Sequence, residues 1–600
     1  MEIKSYRDLR VWQAGMDLVV LIPSPRLLAL SSTFLLTLLL GVWAATDRPA
    51  AWARLGLIAV GLGGMLLLAW AGGRWGEAIL GPAALACAGL AAALGGYYLL
   101  GADWHADAGA KLPAVQQIGI WVQAHRPAVT LPEDIHPNVA GGLLAILLPL
   151  GAAGCAWAWL RGRRGLALAA ALALLLGLVA AVLTVSRGAW LGLAAAAVLA
   201  LGLSLAPRAG RSTAGRVLLT AGAVAILALP VLSALVDLPL ADRLAGSVGV
   251  GGAAISRTAL WRDALALIGD YPFTGSGLGS TAMVYSTYAL LIHAPYLYHV
   301  HSLLLQLAVE QGVLGAALFA ALLGGALWAV LARRAGRSET QGPARPWAAA
   351  LAVAVVASLA ALVVHGALDA GVYASKAVPG LFLPLGMAYA LATATAPAAT
   401  CGGRRCGVDN GRTPTLAGQV TKDGGRTAGV GIALAATAAL LLLPASQAAF
   451  QANLGALSQT RAELAAFYWP QTPLQDVLRR PGGVDLAPAE GRFGAALALA
   501  PDNVTANRRL GQIALANEDF AAARGYLEAA YRGAPGQRAT RQMLGEIVAL
   551  AGDPAAAAAL WRGIDFGGGQ VQEVREWWYE HLGQPQRAEA IRQAERLVGR

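Results

Sequence analysis

Between Tyr298 and Gly315 the chain reads YHVHSLLLQLAVEQGVLG. His299 and His301 stand just before a long apolar run, with Ser302 next and Gly312 and Gly315 further on. Imidazole titrates near neutrality, so it can take a proton from a hydroxyl at physiological pH. An ionisable group at the mouth of an apolar helix is costly to place, and such groups usually carry function. Two arginines join them as candidates: Arg187 in TVSRGAWLGL, in a tight turn between two apolar runs, and Arg257 in SRTALWRDALALIGDYPFTGSGLG, within a long loop. Guanidinium offers phosphate oxygens a planar fork and never loses its charge. Together these are one titratable base and two fixed cations suited to phosphate oxygens.

Around these three stand secondary candidates. His293 and His299 could share the work of His301. Arg262 follows Arg257 in the same exterior loop, and His365 with Asp369 forms a supporting pair in which Asp369 orients a histidine or binds sugar hydroxyls. Trp190 and Trp261 read as interfacial aromatic-belt residues. Gly275, Gly277 and Gly279 read as a flexible turn that folds the loop over the site, because no strand leads into them as a phosphate loop requires. No metal is expected. Cys87 and Cys155 sit in apolar runs, Cys401 and Cys406 alone cannot complete a four-ligand site, and no Asp-x-Asp motif occurs in the exterior segments.

The elements that must position these groups are membrane helices. The 600 residues are 57% hydrophobic and 13% charged, with mean hydropathy +0.56, which excludes an ordinary soluble protein. Apolar runs fall at about 27–46, 55–71, 78–101, 139–160, 166–185, 188–206, 217–236, 302–331, 347–368, 378–396 and 428–447. Each approaches or exceeds the length that crosses about 30 Å of hydrocarbon. The expected fold is all-α, a polytopic bundle of about eleven spans with no cleavable signal peptide. Lys4, Arg7, Arg10 and Arg26 precede the first run and place the N-terminus inside; Arg161, Arg163, Arg164, Arg208, Arg211, Arg216, Arg333, Arg334 and Arg337 fall in inside loops of the same alternation. The net charge of +11 therefore reflects orientation, not nucleic-acid binding. Loops 102–138 and 237–301 and everything after about 448 fall outside.

Beyond the membrane part the chain changes character. Residues 1–26 form a cytoplasmic extension whose first twenty look like the opening helix of small four-helix-bundle proteins encoded in ribosomal RNA intervening sequences. The stretch 27–447 is the membrane domain, 448–484 a linker, and 485–600 an Ala-rich helical part. In that last part Leu510-Gly511 recurs as Leu544-Gly545, Ala523 as Ala557 and Pro501 as Pro535, all 34 apart, which is the tetratricopeptide period. Such repeats serve as a peptide-binding surface or as a structural lid over the membrane domain.

The ordered set SRGAW, then R-x-x-x-W leading to P-F-T-G-x-G-x-G, then H-S-x9-G-x-x-G resembles the O-antigen ligase/polymerase family, and HPNVAGGLLAILLPL at 136–150 resembles that family's earlier loop-to-helix junction. The likeness covers roughly 27–396. It implies a lipid-dependent glycosyltransferase fold and transfer of an oligo- or polysaccharide from a polyprenyl-diphosphate carrier, such as undecaprenyl diphosphate, to an acceptor hydroxyl at the exterior face of the inner membrane. In that reading His301 is the catalytic base, and Arg187 and Arg257 hold the diphosphate. His299, Arg262, His365 and Asp369 support them, and the reaction is metal-independent, cofactor-free and inverting. The acceptor stays open among a lipid core, as in lipopolysaccharide biosynthesis, another lipid-linked glycan, and a protein. A transporter carrying a repeat scaffold is the reading from another class. The spans are nearly free of Asp, Glu and Lys, whereas transporters place ionisable groups at mid-membrane.

Overall fold

A computed structural model of the chain describes residues 24–105, 112–205, 213–236, 247–250, 253–292, 297–336, 346–393, 443–468, 476–564 and 570–599. The N-terminal stretch 1–20, His293, Cys401, Cys406 and most of the eleventh apolar run lie outside them. Among the described residues nine helices are long and apolar enough to cross a membrane. They are α1 (Pro25–Ala44), α2 (Arg48–Trp75), α3 (Glu77–Gly101), α5 (Pro137–Leu160), α6 (Arg164–Leu183), α7 (Arg187–Leu205), α8 (Thr213–Val236), α10 (Leu303–Gly336) and α11 (Pro346–Leu368). A shorter apolar segment, Val378–Thr393, ending in α12 (Leu383–Thr393), takes the tenth position. The polytopic all-helical bundle is thus the observed fold. Its one departure among the described residues is a small antiparallel hairpin, Ser247–Val250 against Ala253–Ser256.

Lipid tails are as apolar as leucine, so close packing has to hold such a bundle together. Small residues provide it: a Cβ on Gly154 of α5 would lie 2.3 Å from the Leu85 backbone nitrogen of α3, and one on Gly95 of α3 would lie 3.2 Å from Gly177 Cα of α6. The other face of α6 leaves Leu168, Leu172, Leu175 and Val179 exposed, a stripe suited to hydrocarbon. The loop between α8 and α10 carries a helix of its own, α9 (Arg257–Asp270); α4 (Pro113–His125) is a second helix outside the spans.

Two expectations need correction here. The glycines of GSGLG are a wedge, not a flexible turn. Gly275 has φ +67°, and a Cβ there would meet the Glu310 carbonyl oxygen at 2.3 Å; Gly277 has φ +112° and would meet Ala45 Cα at 2.4 Å. Leu278 N–H donates to the Gly41 carbonyl at 3.0 Å, and Ser276 N–H to Val309 at 2.7 Å. Only residues without a side chain fit between α1 and α10 so closely. Gly312 completes the wedge: with φ 74° and ψ 175° it breaks the α10 helix, and Val313 N–H turns to the Pro272 carbonyl at 2.9 Å.

Residues 448–484, expected as a linker, instead contain most of α13 (Pro444–Ala466). Its polar residues face inward because they meet polar partners. Asn453 Oδ1 accepts from Phe273 N–H at 3.0 Å, and the Tyr288 hydroxyl donates to Glu463 Oε2 at 2.9 Å.

The C-terminal part is a run of helices, α14 (Ala487–Leu499), α15 (Val504–Ala516), α16 (Phe520–Gly533), α17 (Arg538–Leu550), α18 (Pro554–Trp561), α19 (Gln570–His581) and α20 (Pro585–Val598). The 34-residue period has a physical counterpart. A Cβ on Gly511 of α15 would strike Leu527 of α16 at 2.7 Å, and a Cβ on Gly545 of α17 would strike Trp561 of α18 at 2.2 Å. Both the glycine and the large residue it receives recur 34 positions on. This array packs onto α9 and the segment after it, with Leu291 against the cluster of Leu515, Leu527 and Met543.

Candidate functional site

Asp369 follows the last residue of α11 and is 3% exposed. Its Oδ1 accepts from Gly371 N–H at 2.6 Å, and its Oδ2 from Asn138 Nδ2 at 2.7 Å and from His301 Nδ1 at 3.0 Å. Burial alone would raise this carboxyl, but the hydrogen bond from His301 holds it well below the usual carboxylate range. An ionised carboxylate only accepts, so His301 Nδ1 carries the hydrogen and Nε2 keeps its lone pair. Among the described residues no protein group bonds that Nε2. The arrangement is a base oriented by a buried acid, with the free nitrogen available to a hydroxyl.

The backbone holding this ring is strained and heavily tied. His301 has φ +49°, a left-handed conformation that costs a non-glycine residue energy and persists only where neighbours enforce it. Its N–H donates to His299 Nδ1 at 3.3 Å, its carbonyl accepts from Trp261 Nε1 at 3.4 Å, and the preceding Val300 N–H donates to Gln306 Oε1 at 3.0 Å. His299 stacks edge-on to His301, ring centroids 4.2 Å apart. Burial pushes the His299 pKa from 6.5 to about 3, so this second imidazole stays neutral.

Arg257 opens α9, with Ser256 as the N-cap accepting from Ala259 N–H. Its Nη1 donates to the Leu368 carbonyl, and its Nε has no hydrogen-bond partner. Burial lowers its pKa, the nearby Asp369 raises it, and Arg187 lowers it again. Arg187 opens α7 and is exposed; among the described residues it has no carboxylate partner. A Cβ on the next residue, Gly188, would lie 3.0 Å from His365 Nδ1 and 3.7 Å from Leu368. The α7 terminus therefore rests on the same helix end that receives Arg257 and carries Asp369. Two guanidiniums and two helix N-termini, each with partial positive charge, converge here, and the carboxylate beside them is Asp369.

The fold thus brings together Arg187, Arg257, His299, His301, His365 and Asp369. His365 is buried, and neither ring nitrogen has a partner; it packs against Gly142 and Gly188, and Asp369 orients His301 rather than His365. Arg262 does not join the cluster. Five residues along a helix turn it about 140° from Arg257, beside Asp263. Trp261 is not an aromatic-belt residue: it is 1% exposed and bonds the His301 carbonyl. Trp190 is half-buried and donates to the Ala181 carbonyl at 3.1 Å. Sequence reasoning missed Asn138, although HPN stood inside a segment it had singled out, and Gln306, which looked like one polar residue in an apolar run.

One ligand atom from each of His299, His301 and Asp369 falls within 4.8 Å of the others, a spacing that suits a divalent cation. Ligation there would compete with the bonds from Asn138 and His301 Nδ1 that already occupy Asp369 Oδ2.

Residues 172–320 match a protein-family model described as O-Antigen ligase. Arg187, Arg257, His299 and His301 fall inside that region, while Asn138 and Asp369 fall outside it. No curated protein matches the chain, and no solved structure matches it. The family match supports glycan transfer of the O-antigen ligase or polymerase type by a multi-pass membrane protein.

Proposed function

We propose that this chain transfers an oligo- or polysaccharide from a polyprenyl-diphosphate carrier to an acceptor hydroxyl, at the exterior face of the inner membrane, without a metal ion. The observation that carries the reading is the pairing of an oriented His301, its Nε2 open, with two arginines that form no ion pair among the described residues. In the step proposed, Nε2 takes the acceptor's hydroxyl proton as its oxygen bonds the anomeric carbon. The bond from that carbon to the diphosphate oxygen breaks on the opposite side, and the electron pair leaves with the polyprenyl diphosphate. Arg187 and Arg257 stabilise the charge that grows there, and Asp369 stabilises the imidazolium. Back-side attack inverts the anomeric centre.

A second feature supports a lipid-borne donor. An apolar groove of about 200 Å³ lies between α7, α8, α10 and α11, lined by Leu199, Leu219, Ile226, Leu327, Val356 and Val363 among others. Val363 is two residues from His365, so an isoprenoid chain in this groove would run toward the site. Mixing purified protein with a polyprenyl-diphosphate-linked glycan and candidate acceptors tests the proposal. The expected product is the glycan on an acceptor, with polyprenyl diphosphate released. Solute uptake into proteoliposomes with no glycan product would support the transporter reading instead.

A further inference from the structure

Beneath His301 lies a second cluster of polar groups that the transfer step does not use. Gln306 and Glu310 of α10 are 0% and 2% exposed, and Thr281 and Tyr373 are equally buried. Gln306 Nε2 donates to Glu310 Oε1 at 2.8 Å and to Thr281 Oγ1 at 2.8 Å. Thr281 in turn donates to Glu310 Oε1 at 3.1 Å. The Tyr373 hydroxyl donates to Glu310 Oε2 at 3.1 Å and accepts from Gln311 Nε2 at 2.9 Å. Arg54 Nε stands 3.5 Å from Glu310 Oε2, and its guanidinium lies 4.6 Å over the Tyr373 ring.

The direction of each bond follows from one group. An ionised carboxylate is the only pure acceptor in the cluster, so Thr281, Tyr373 and the Gln306 amide must all point their hydrogens at it. That fixes the Gln306 amide with nitrogen toward Glu310 and oxygen toward Val300. The oxygen accepts the Val300 N–H at 3.0 Å, one residue before the left-handed His301. A carboxylate in an apolar bundle is expensive to place, and this one is two hydrogen bonds from the turn that carries His301.

We propose that Gln306 and Glu310 are positioning residues for His301: the Glu310 carboxylate orients the Gln306 amide, and the amide holds the strained turn that points Nε2 at the acceptor. The effect on transfer rests on the function proposed above; the positioning itself does not. A carboxamide cannot accept at both ends, so Glu310→Gln, with nearly unchanged shape, breaks the same chain of bonds as Gln306→Ala.

The test uses full-length protein in detergent and three readouts. The first is the rate at which diethyl pyrocarbonate modifies His301, followed by peptide mass spectrometry. The second is kcat against KM with a polyprenyl-diphosphate-linked glycan, and the third is cooperative thermal unfolding. Both variants are expected to change the His301 modification rate about threefold or more and to lower kcat about 10- to 100-fold, with KM within about twofold, because aim is lost and donor binding is not. Thr281→Ser, which keeps the hydroxyl, should restore most of what Thr281→Val loses. Unchanged His301 reactivity and kcat in a folded Glu310→Gln or Gln306→Ala protein would overturn the proposal, as would kcat and KM failing together with cooperative unfolding. Shifted His301 reactivity in a protein whose wild type transfers no glycan would keep the positioning and remove the proposed function.

Discussion

Two sets of arginines in this molecule meet opposite fates. Where the C-terminal array covers α9, Arg508 and Arg509 both bond Asp270, Arg538 pairs with Asp263 at 2.9 Å, and Arg479 meets Glu463 at 2.7 Å. Every one of those guanidiniums is buried and matched by a carboxylate. At the other end of α9, Arg257 bonds Leu368's carbonyl and forms no ion pair among the described residues, and Arg187 lies in the open. Buried charge is tolerated when paired, so the first set reads as a fastening. The second set has positive charge left over in a place where an anionic ligand would complete it. The same residue type holds the fold in one region and, in the function proposed, meets the donor in the other.

That contrast can be broken from either side. The largest effect is expected for Arg257→Ala, which should lower glycan transfer about a hundred- to a thousandfold. Arg257→Lys should recover only part, since the charge returns without the fork; equal rates for wild type and Arg257→Ala would deny that the unmatched arginine meets the donor. From the fastening side, Arg508→Ala leaves Asp270 short of a partner and should cost about 3 kcal/mol of stability, read as a lower midpoint of thermal unfolding.

Next in size is an acid effect centred on His299. Folded His299 is neutral down to about pH 3 against an ordinary 6.5, so between those values the unfolded chain binds the extra proton. Stability is therefore full above about pH 6.5 and falls as the pH drops toward 3. Asp369, depressed by its hydrogen bond from His301, adds a further loss once the pH enters the carboxylate range. His299→Gln should flatten the slope between pH 6.5 and 4 in thermal unfolding. The smallest effect expected is none at all: EDTA should leave transfer unchanged, and a loss restored by one divalent cation would point to His299, His301 and Asp369 as its ligands.

The spans were legible because hydropathy reports burial in lipid directly, and each described spanning helix begins within about seven residues of the start of an apolar run. The candidates Arg187 and His301 were conspicuous as ionisable groups at the ends of apolar runs, whereas Arg257 stood out only by its R-x-x-x-W segment in the loop 237–301. Their partners were not. Asn138 and Asp369 are separated by 231 positions, and no local pattern announces a contact made across the bundle. Gln306 and Glu310 sit in a run whose apolar neighbours hid them. The GSGLG glycines were visible, but whether glycine means freedom or lack of room depends on what stands against it, here the α10 backbone. The linker reading of 448–484 failed because α13 buries Asn453, Gln459 and Glu463, polar residues that look solvent-facing until their partners are known.

The most direct measurement of the central claim is donor binding and glycan transfer by the same His301→Ala preparation, purified and folded. The account predicts that this variant binds the polyprenyl-diphosphate donor about as tightly as wild type, through Arg187 and Arg257, while transfer falls to background. Transfer at the wild-type rate without the imidazole would contradict it.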